Sequence, residues 1–525
     1  MKYFLLLIVM LSGSATVMAE EDPAEIAIGE RIFLETRFAR HNAVAPGQAD
    51  PAVDRTSDSE GRELGNPFRG NTMSCRACHL VDELAEVPGA GMRTYADFAR
   101  RSPVPRHERD NQARTVRNSM SLVNISIPGK KNVVFHHDGQ FNSLEDLVRG
   151  TFTGRNLGWR ADENARAVKH IATVVREDDG QDELGQEFGG SYRKLLSGKD
   201  GKLPEEYRLD IDKASDRQIL DALARLVSAY VRDLGLSRDE QGRYDGSPYD
   251  AFLAANNLPR KPAAGESDLA YSRRLLEAVK RLEKPVFIDD KERAFASHDQ
   301  AFRFATEELA GMKVFFGEKT RAAATGKSGN CIACHSAPHF SDSRFHNTGV
   351  SQEEYDGVHG LGSFMKLAIP NQATRLARPD QYLPESVPHP QARSAFRAVP
   401  VKHDPQRTDL GVWNVYANPD MPEPQAKLSK LLCGQSQCDI DETLNIAIAA
   451  FKTPGIRDSG HSAPYFHNGA ATSLEQVLGH YVSSSSLARD GKLRNAPAEM
   501  ADIDIDAQAQ QQLASFLRAL NEDYD

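Results

Sequence analysis

Two short cysteine motifs carry the plainest chemistry in the chain. Cys75-Arg76-Ala77-Cys78-His79 and Cys331-Ile332-Ala333-Cys334-His335 both read C-x-x-C-H. That spacing attaches c-type haem: each thiol adds to a haem vinyl, and the adjacent histidine ligates the iron. The predicted haem-binding residues are therefore Cys75, Cys78 and His79 at one site, and Cys331, Cys334 and His335 at another. A thiol–disulfide redox pair would not need the histidine, and a zinc site would group its ligands differently. The other two of the six cysteines are Cys433 and Cys438, with Gly434 between them. They predict a local disulfide.

A diverged repeat lies downstream of each motif. His137-Asp138-Gly139 leads to Ser143-Leu144-Glu145, and His467-Asn468-Gly469 leads to Ser473-Leu474-Glu475, at the same spacing. Asp or Asn before Gly suits a tight turn. Ser143 and Ser473 can then cap helices that continue as LEDLV and LEQVL. Duplication of a single-haem unit is the simplest account. Elsewhere Leu220, Leu223, Leu226, Val227, Tyr230 and Val231 recur at helical spacing, and no run of alternating strands competes. The fold class is all-α. Stretches 40–70, 258–268 and 367–430 read as loops and insertions rather than separate domains.

The 525-residue chain carries 64 Lys and Arg against 74 Asp and Glu, a net charge of −10, with 40% hydrophobic residues. That is globular composition, which argues against disorder, collagen and coiled coil. No basic tract recommends nucleic acid. Residues 1–19 read as a signal peptide: Lys2, an apolar run from Phe4 to Leu11, and small residues ending at Ala19, the expected cleavage site. The apolar run is too short to span a bilayer. A periplasmic protein without a transmembrane anchor is expected.

The two C-x-x-C-H sites, the paired H-[DN]-G-x-x-x-S-L-E motif and APYFHNG at 463–469 resemble the bacterial di-haem cytochrome c peroxidase/MauG family. RNSMSLVN (117–124), SPYDAFL (247–253), FHNTGV (345–350) and FKTPGIRD (451–458) extend the resemblance. It covers most of 65–255 and 307–485; 20–64, 258–306 and 365–445 look like additions. The resemblance implies two cytochrome c-like haem domains facing one another, with long loop insertions. Their expected bounds are 20–255 for the N-terminal peroxidatic domain, whose family core starts near 65, and 307–525 for the C-terminal one. A connecting insertion covers 256–306.

The resemblance also implies roles. The N-terminal haem, on His79, would react with hydrogen peroxide, and Glu145 would stand in its distal pocket as proton acceptor and donor. Read by itself, Glu145 is equally a helix-start acid favoured by the dipole, as is Glu475. The family's common Gln before the turn is replaced by Phe135. His136 and His137 follow it, lining the pocket or packing in the core. The family's displaceable distal His falls at Tyr95, so the first haem is expected open, with His107 as the fallback ligand. The second haem's axial Met position holds Tyr481, the MauG-like choice, where a phenolate favours high oxidation states. A core role for Tyr481, and His480 as ligand, are the alternatives. The family's inter-haem Trp position holds Val123; Trp159 and Trp413 do not align. A structural Ca²⁺ would take the carbonyls of Ser462 and Pro464 and also Asn111.

The expected function is an exported di-haem c-type peroxidase. It would reduce hydrogen peroxide at the first haem and store or relay oxidising equivalents at the His335/Tyr481 haem. Its electron donor would be a small redox protein or a protein substrate. The alternatives are conventional turnover fed by a small cytochrome or cupredoxin, and a non-catalytic di-haem electron-transfer or peroxide-sensing protein. Intact mass should exceed that of the leaderless polypeptide by two haems, both resistant to acid–acetone extraction. One haem, or extractable haem, would overturn the reading.

Overall fold

The computed structural model describes residues 22–44, 74–79 and 101–522, except 103, 106, 111, 113, 128–132, 290, 292, 296–299, 320–326 and 435–437. The expected signal peptide at 1–19, Tyr95 and Asn111 lie outside the described residues. Numbering covers the described helices of eight residues or more. The chain is mostly helical, and no described helix is long and apolar enough to cross a membrane.

The first core joins α1 (Ala24–Leu34), α2 (Leu144–Phe152), α3 (Asn164–Glu177) and α4 (Asp216–Asp233). α4 buries Leu220, Leu223, Leu226, Val227, Tyr230 and Val231, the stripe its period requires. A capping box between Ser215 and Gln218 starts it. Next come α5 (Pro248–Ala255), α6 (Asp268–Lys280) and α7 (Thr306–Phe316), which belong to a second core. α8 (Val350–His359), α9 (Gln425–Cys433) and α10 (Ile440–Ala447) border a third. α11 (Leu474–Arg489) and α12 (Ala507–Arg518) return to complete the second core. Two short strands, β1 (Phe345–His346) and β2 (Phe451–Lys452), pair antiparallel.

The first and second cores share one packing scheme. α1 crosses α4 at Gly29, where a Cβ would collide with the Leu226 carbonyl. α7 crosses α12 at Gly311, where a Cβ would collide with the Gln512 carbonyl. In each pair an aromatic one turn on packs across the crossing. Phe33 meets Tyr230 at 5.3 Å and Phe315 meets Phe516 at 5.2 Å between ring centroids. The sequence reading set 20–64 apart as an addition. α1 is instead the counterpart of α7, and G-x-x-[IV]-F, at Gly29–Phe33 and Gly311–Phe315, is the signal for it.

The motif turns repeat in backbone detail. Antiparallel bridges join Phe135 to Phe141 and Tyr465 to Ala471. The amides of Gly139 and Gly469 each donate over 3.2 Å, to the carbonyls of His136 and Phe466. Gly139 and Gly469 sit at φ 72° and 63°, the left-handed conformation that glycine adopts without strain. Ser143 and Ser473 then cap α2 and α11 by accepting from the Asp146 and Gln476 amides.

The 367–430 stretch is largely irregular, as a loop reading expects, yet it buries its own core. Phe396 meets Trp413 edge to face at 5.2 Å. Arg375, fully buried, lies over Trp413 and donates to the carbonyls of Trp413, Tyr416 and Asn414. Just beyond it, Cys433 and Cys438 form a disulfide with 6.3 Å between Cα atoms.

The halves meet around Arg117. Its guanidinium is bidentate to Asp409, at 2.7 and 2.9 Å, and contacts Asp138 at 2.7 Å. Arg397 adds a second cation on Asp138 at 2.7 Å. Burial opposes ionisation of both carboxyls, but these arginines hold Asp138 and Asp409 below the usual carboxylate range. Groups with depressed folded pKa stabilise fully above their unfolded value, near 4, and that gain is lost as pH falls through the folded values. Asp409→Asn should therefore cost on the order of 3 kcal/mol at pH 7, since it strands part of a buried charge. Holoprotein melting between pH 7 and pH 3 should show a shallower acid decline in the variant. An unchanged melting temperature at pH 7 would contradict this.

Candidate functional site

Each C-x-x-C-H motif is wound into a short 3₁₀ turn, Cys75–Ala77 and Cys331–Ala333. The histidine amide closes it: His79 donates to the Cys75 carbonyl at 2.9 Å, and His335 to the Cys331 carbonyl at 2.8 Å. The four motif cysteines form no disulfide. Burial pushes the thiols of Cys75, Cys78 and Cys331 up to about 12. Reactive redox thiols are shifted the other way.

The second motif opens into a cavity of about 350 Å³. Cys331, Cys334, His335 and Tyr481 line it together, with apolar walls from Phe315, Leu474, Leu478, Met500, Ile503 and Leu513. Nδ1 of His335 donates to the Phe340 carbonyl at 2.9 Å, which leaves Nε2 for a metal. Burial lowers the pKa of His335 and keeps the imidazole neutral, the form that ligates. Burial, with the neighbouring Cys334 and Cys331, pushes the Tyr481 phenol up. Ligation as phenolate would draw on the charge of a bound ion. These donors and this apolar lining fit a covalent haem.

His480 stands otherwise. Its Nδ1 meets Glu353 at 2.5 Å, and its Nε2 donates to the Thr348 carbonyl at 2.9 Å. Both ring nitrogens are thus taken by protein groups, while the adjacent Tyr481 lines the cavity. Cys334, Asp342 and His346 bring ligand atoms within 4.8 Å of one another. Asp342 and His346 pair at 2.8 Å, and although burial opposes it, hydrogen bonds to Asp342 and Cys334 raise His346 to about 10. The Asp342–His346 pair is thus a salt bridge, and Cys334 beside it belongs to the second C-x-x-C-H motif.

Around the first motif, Cys75 and Cys78 pack against the first core. Burial lowers His79 to about 4, with a hydrogen bond to the Met120 backbone opposing and the neighbouring His136 ring assisting. The segment 80–100 lies outside the described residues. His107 is buried, with Nε2 3.1 Å from Glu163 and Nδ1 accepting from the Arg109 amide at 3.1 Å. Both of its nitrogens are engaged.

Glu145, at the start of α2, forms an ion pair with Arg232 in the last turn of α4. Burial opposes its charge, but hydrogen bonds from Arg232 and its own amide hold the carboxyl low. Glu475 does the same at the start of α11, pairing with Arg518 at 2.6 Å. The position that Tyr481 fills in the second repeat is Thr151 in the first. Its hydroxyl donates back to the Leu147 carbonyl at 3.0 Å.

Val123, at the expected Trp position, lines the cavity. Trp159 is buried in the first core and Trp413 in the third. Ser462 and Pro464 also line the cavity, and the Pro464 carbonyl accepts from Asn118 Nδ2 at 2.5 Å. Sequence reasoning did not single out Arg117, Asn118, Arg397 or Asp409; nothing local pairs residues so far apart.

No family model matches the chain. It is 26% identical over 197 residues to cytochrome-c peroxidase IdrP2 of Denitromonas iodatirespirans, covering 38% of this chain and 37% of that one. It is 23% identical over 216 residues to cytochrome-c peroxidase IdrP1 of Pseudomonas sp. (strain SCT), covering 41% of this chain and 40% of that one. Over 71 residues it is 35% identical to the methylamine utilization protein MauG of Methylorubrum extorquens, 14% of this chain and 19% of that protein. The chain thus spans about two fifths or less of the curated relatives it matches. Among solved structures, a MauG-like protein associated with microbial copper homeostasis matches at a TM-score of 0.44 and 17% identity, over 96% of this chain and 91% of that one. The diheme peroxidase BthA from Burkholderia thailandensis E264 matches at 0.44 and 15% identity, over 96% of this chain and 87% of that one.

Proposed function

The chain is a relative of the di-haem cytochrome c peroxidases and MauG, and from that premise we propose that it reduces hydrogen peroxide using two covalent haems. The observation that carries the reading is the convergence of Cys331, Cys334, His335 and Tyr481 on one apolar cavity. A second C-x-x-C-H turn, on Cys75, Cys78 and His79, repeats the attachment geometry. The haems would supply the redox-active iron on which peroxide reduction depends.

The protein's own groups divide the work. His79 and His335 present neutral imidazoles. Tyr481 would offer its phenolic oxygen to the iron at the C-terminal site, which would suit that haem to storing or relaying oxidising equivalents. Thr151, short and bonded back to its own helix, offers none at the matching place, which favours an open face at the N-terminal site. Glu145 is the acid assigned to proton transfer there; Arg232 must loosen its hold for Glu145 to accept a proton. Overall one hydrogen peroxide takes two electrons and two protons to give two waters. The electrons come from a small redox protein or a protein side chain. We read the first and second cores as cytochrome c-like haem domains in the periplasm, with the expected bounds of 20–255 and 307–525 shifted so that α5 and α6, which pack in the second core, join the C-terminal domain. A Ca²⁺ would be held by the carbonyls of Ser462 and Pro464, the latter already accepting from the Asn118 amide.

Resting ferric protein should show one low-spin and one high-spin haem. Tyr481→Phe should abolish the low-spin signal, and His480→Ala should preserve it. A low-spin signal that survives Tyr481→Phe would refute Tyr481 as ligand. Glu145→Gln keeps the shape and removes the base, so peroxide reduction should slow by about 10²-fold or more. An unchanged rate would return Glu145 to the helix-start role that Glu475 has. Wild-type holoprotein inert to peroxide with every donor tried would favour an electron-transfer or sensing role.

A further inference from the structure

The two motif turns share their bridges, hydrogen bonds and glycine conformations, yet one position differs sharply. It is His136 in the first repeat and Phe466 in the second. Both sit at positive φ, 74° and 68°, a conformation bulky residues rarely adopt. Phe466 lines the cavity of the second site and packs 4.8 Å from His480 of α11. His136 packs 5.8 Å from Phe141, whose ring covers Gly150 of α2. The repeated backbone thus sends each side chain to the same place, against the helix that begins at the capping serine. An imidazole stands in the first unit where the second has a phenyl ring.

That imidazole has a carboxylate behind it. Nδ1 of His136 and Oδ1 of Asp138 are both buried, both without a hydrogen bond, and 3.7 Å apart. The other oxygen of Asp138 is taken by Arg117 and Arg397. A carboxylate facing Nδ1 favours the proton there and leaves Nε2 as the accepting nitrogen. The side chain keeps 35% exposure, enough for a small ligand to reach it. The charged and titratable groups around the ring are Asp138, Arg117, Arg397, His137 and His79. Burial lowers its pKa, Asp138 opposes, and the net shift is downward, so the ring is neutral at pH 7.

We propose that His136, backed by Asp138, is a second proton-handling group on the open face of the first haem site, in addition to Glu145. The inference rests on the peroxidase reading above. Nε2 takes one proton from hydrogen peroxide and returns it to the departing oxygen, which leaves as water. The ring ends as it began, and the electrons are those of the peroxidase reaction already described.

The test uses holoprotein carrying His136→Phe, the second repeat's own residue, and His136→Asn, whose side chain tolerates the left-handed backbone. Two rates are read by stopped flow: reaction with hydrogen peroxide, and cyanide association to the ferric first haem. Hydrogen cyanide must give up its proton to bind as the anion, so it reports the base without turnover. Both rates should fall about 10²-fold in both variants, with haem content and resting spectrum retained. Glu475→Gln, outside the site, should match wild type. Cyanide association within threefold of wild type in both variants overturns the proposal. If wild type binds cyanide but leaves peroxide intact, the peroxidase reading fails, and the cyanide rates still decide the role of His136.

Discussion

Arg117 is a buried cation shared between two buried carboxylates, one from each half of the chain. It is 5% exposed, against 0% for Asp138 and 3% for Asp409. A charge so placed is tolerable only if its partners stay put, since desolvation costs several kcal/mol per ion and only good geometry offsets it. Arg117 therefore fixes where the first motif turn lies relative to the third core. The next residue extends the tie. Asn118 donates its amide to the His467 carbonyl at 2.6 Å and its side chain to Pro464, while its carbonyl accepts from His137 at 3.0 Å. One dipeptide thus binds both motif turns. Phe466 of the second turn lines the cavity of the second C-x-x-C-H motif, and in our proposal His136 of the first turn faces the other site, so the relation between the two hangs on this junction.

What was legible in the sequence was local. The C-x-x-C-H turns need only five consecutive residues, the capping serines only their own helices, and α4 declares itself by period. What was illegible was set by distance. Arg117 and Asp409 are 292 positions apart. The core around Trp413 is built from irregular backbone, where no hydrophobic period marks which residues turn inward. Tyr481 and His480 are adjacent, so spacing could not choose between them. Glu353 and Thr348 engage both nitrogens of His480 while Tyr481 lines the cavity, and this is what favours Tyr481 in our proposal. The counterpart of α7 near the N-terminus was readable but faint: one glycine and one phenylalanine at matching spacing.

Two sites on one repeated scaffold have been given different faces by few exchanges. Phe466 and Tyr481 in the second unit correspond to His136 and Thr151 in the first. The crossing glycines, the capping serines and the Glu–Arg pairs at helix ends are kept. Function lives in the site rather than the fold, and here the comparison is internal to one chain. The conserved parts set the position of each side chain; the exchanged parts set whether that side chain can ligate, move a proton or only fill space.

The turn residue before the glycine shows why such exchanges are not free. Asp138 and Asn468 suit a tight turn equally well, and the sequence alone treats them as one class. Their surroundings separate them. Asp138 receives Arg117 and Arg397, the latter from the insertion. Asparagine there would leave two buried guanidiniums with Asp409 alone to balance them. Asn468, 3% exposed, accepts from the Ala470 amide at 3.1 Å, a bond that a neutral amide oxygen supplies. The negative charge thus belongs only to the turn where two arginines meet it. That is also the turn that carries an imidazole, His136, where the other carries the phenyl ring of Phe466. The insertion, which brings both Arg397 and Asp409, therefore holds the ionised Asp138 in place behind His136.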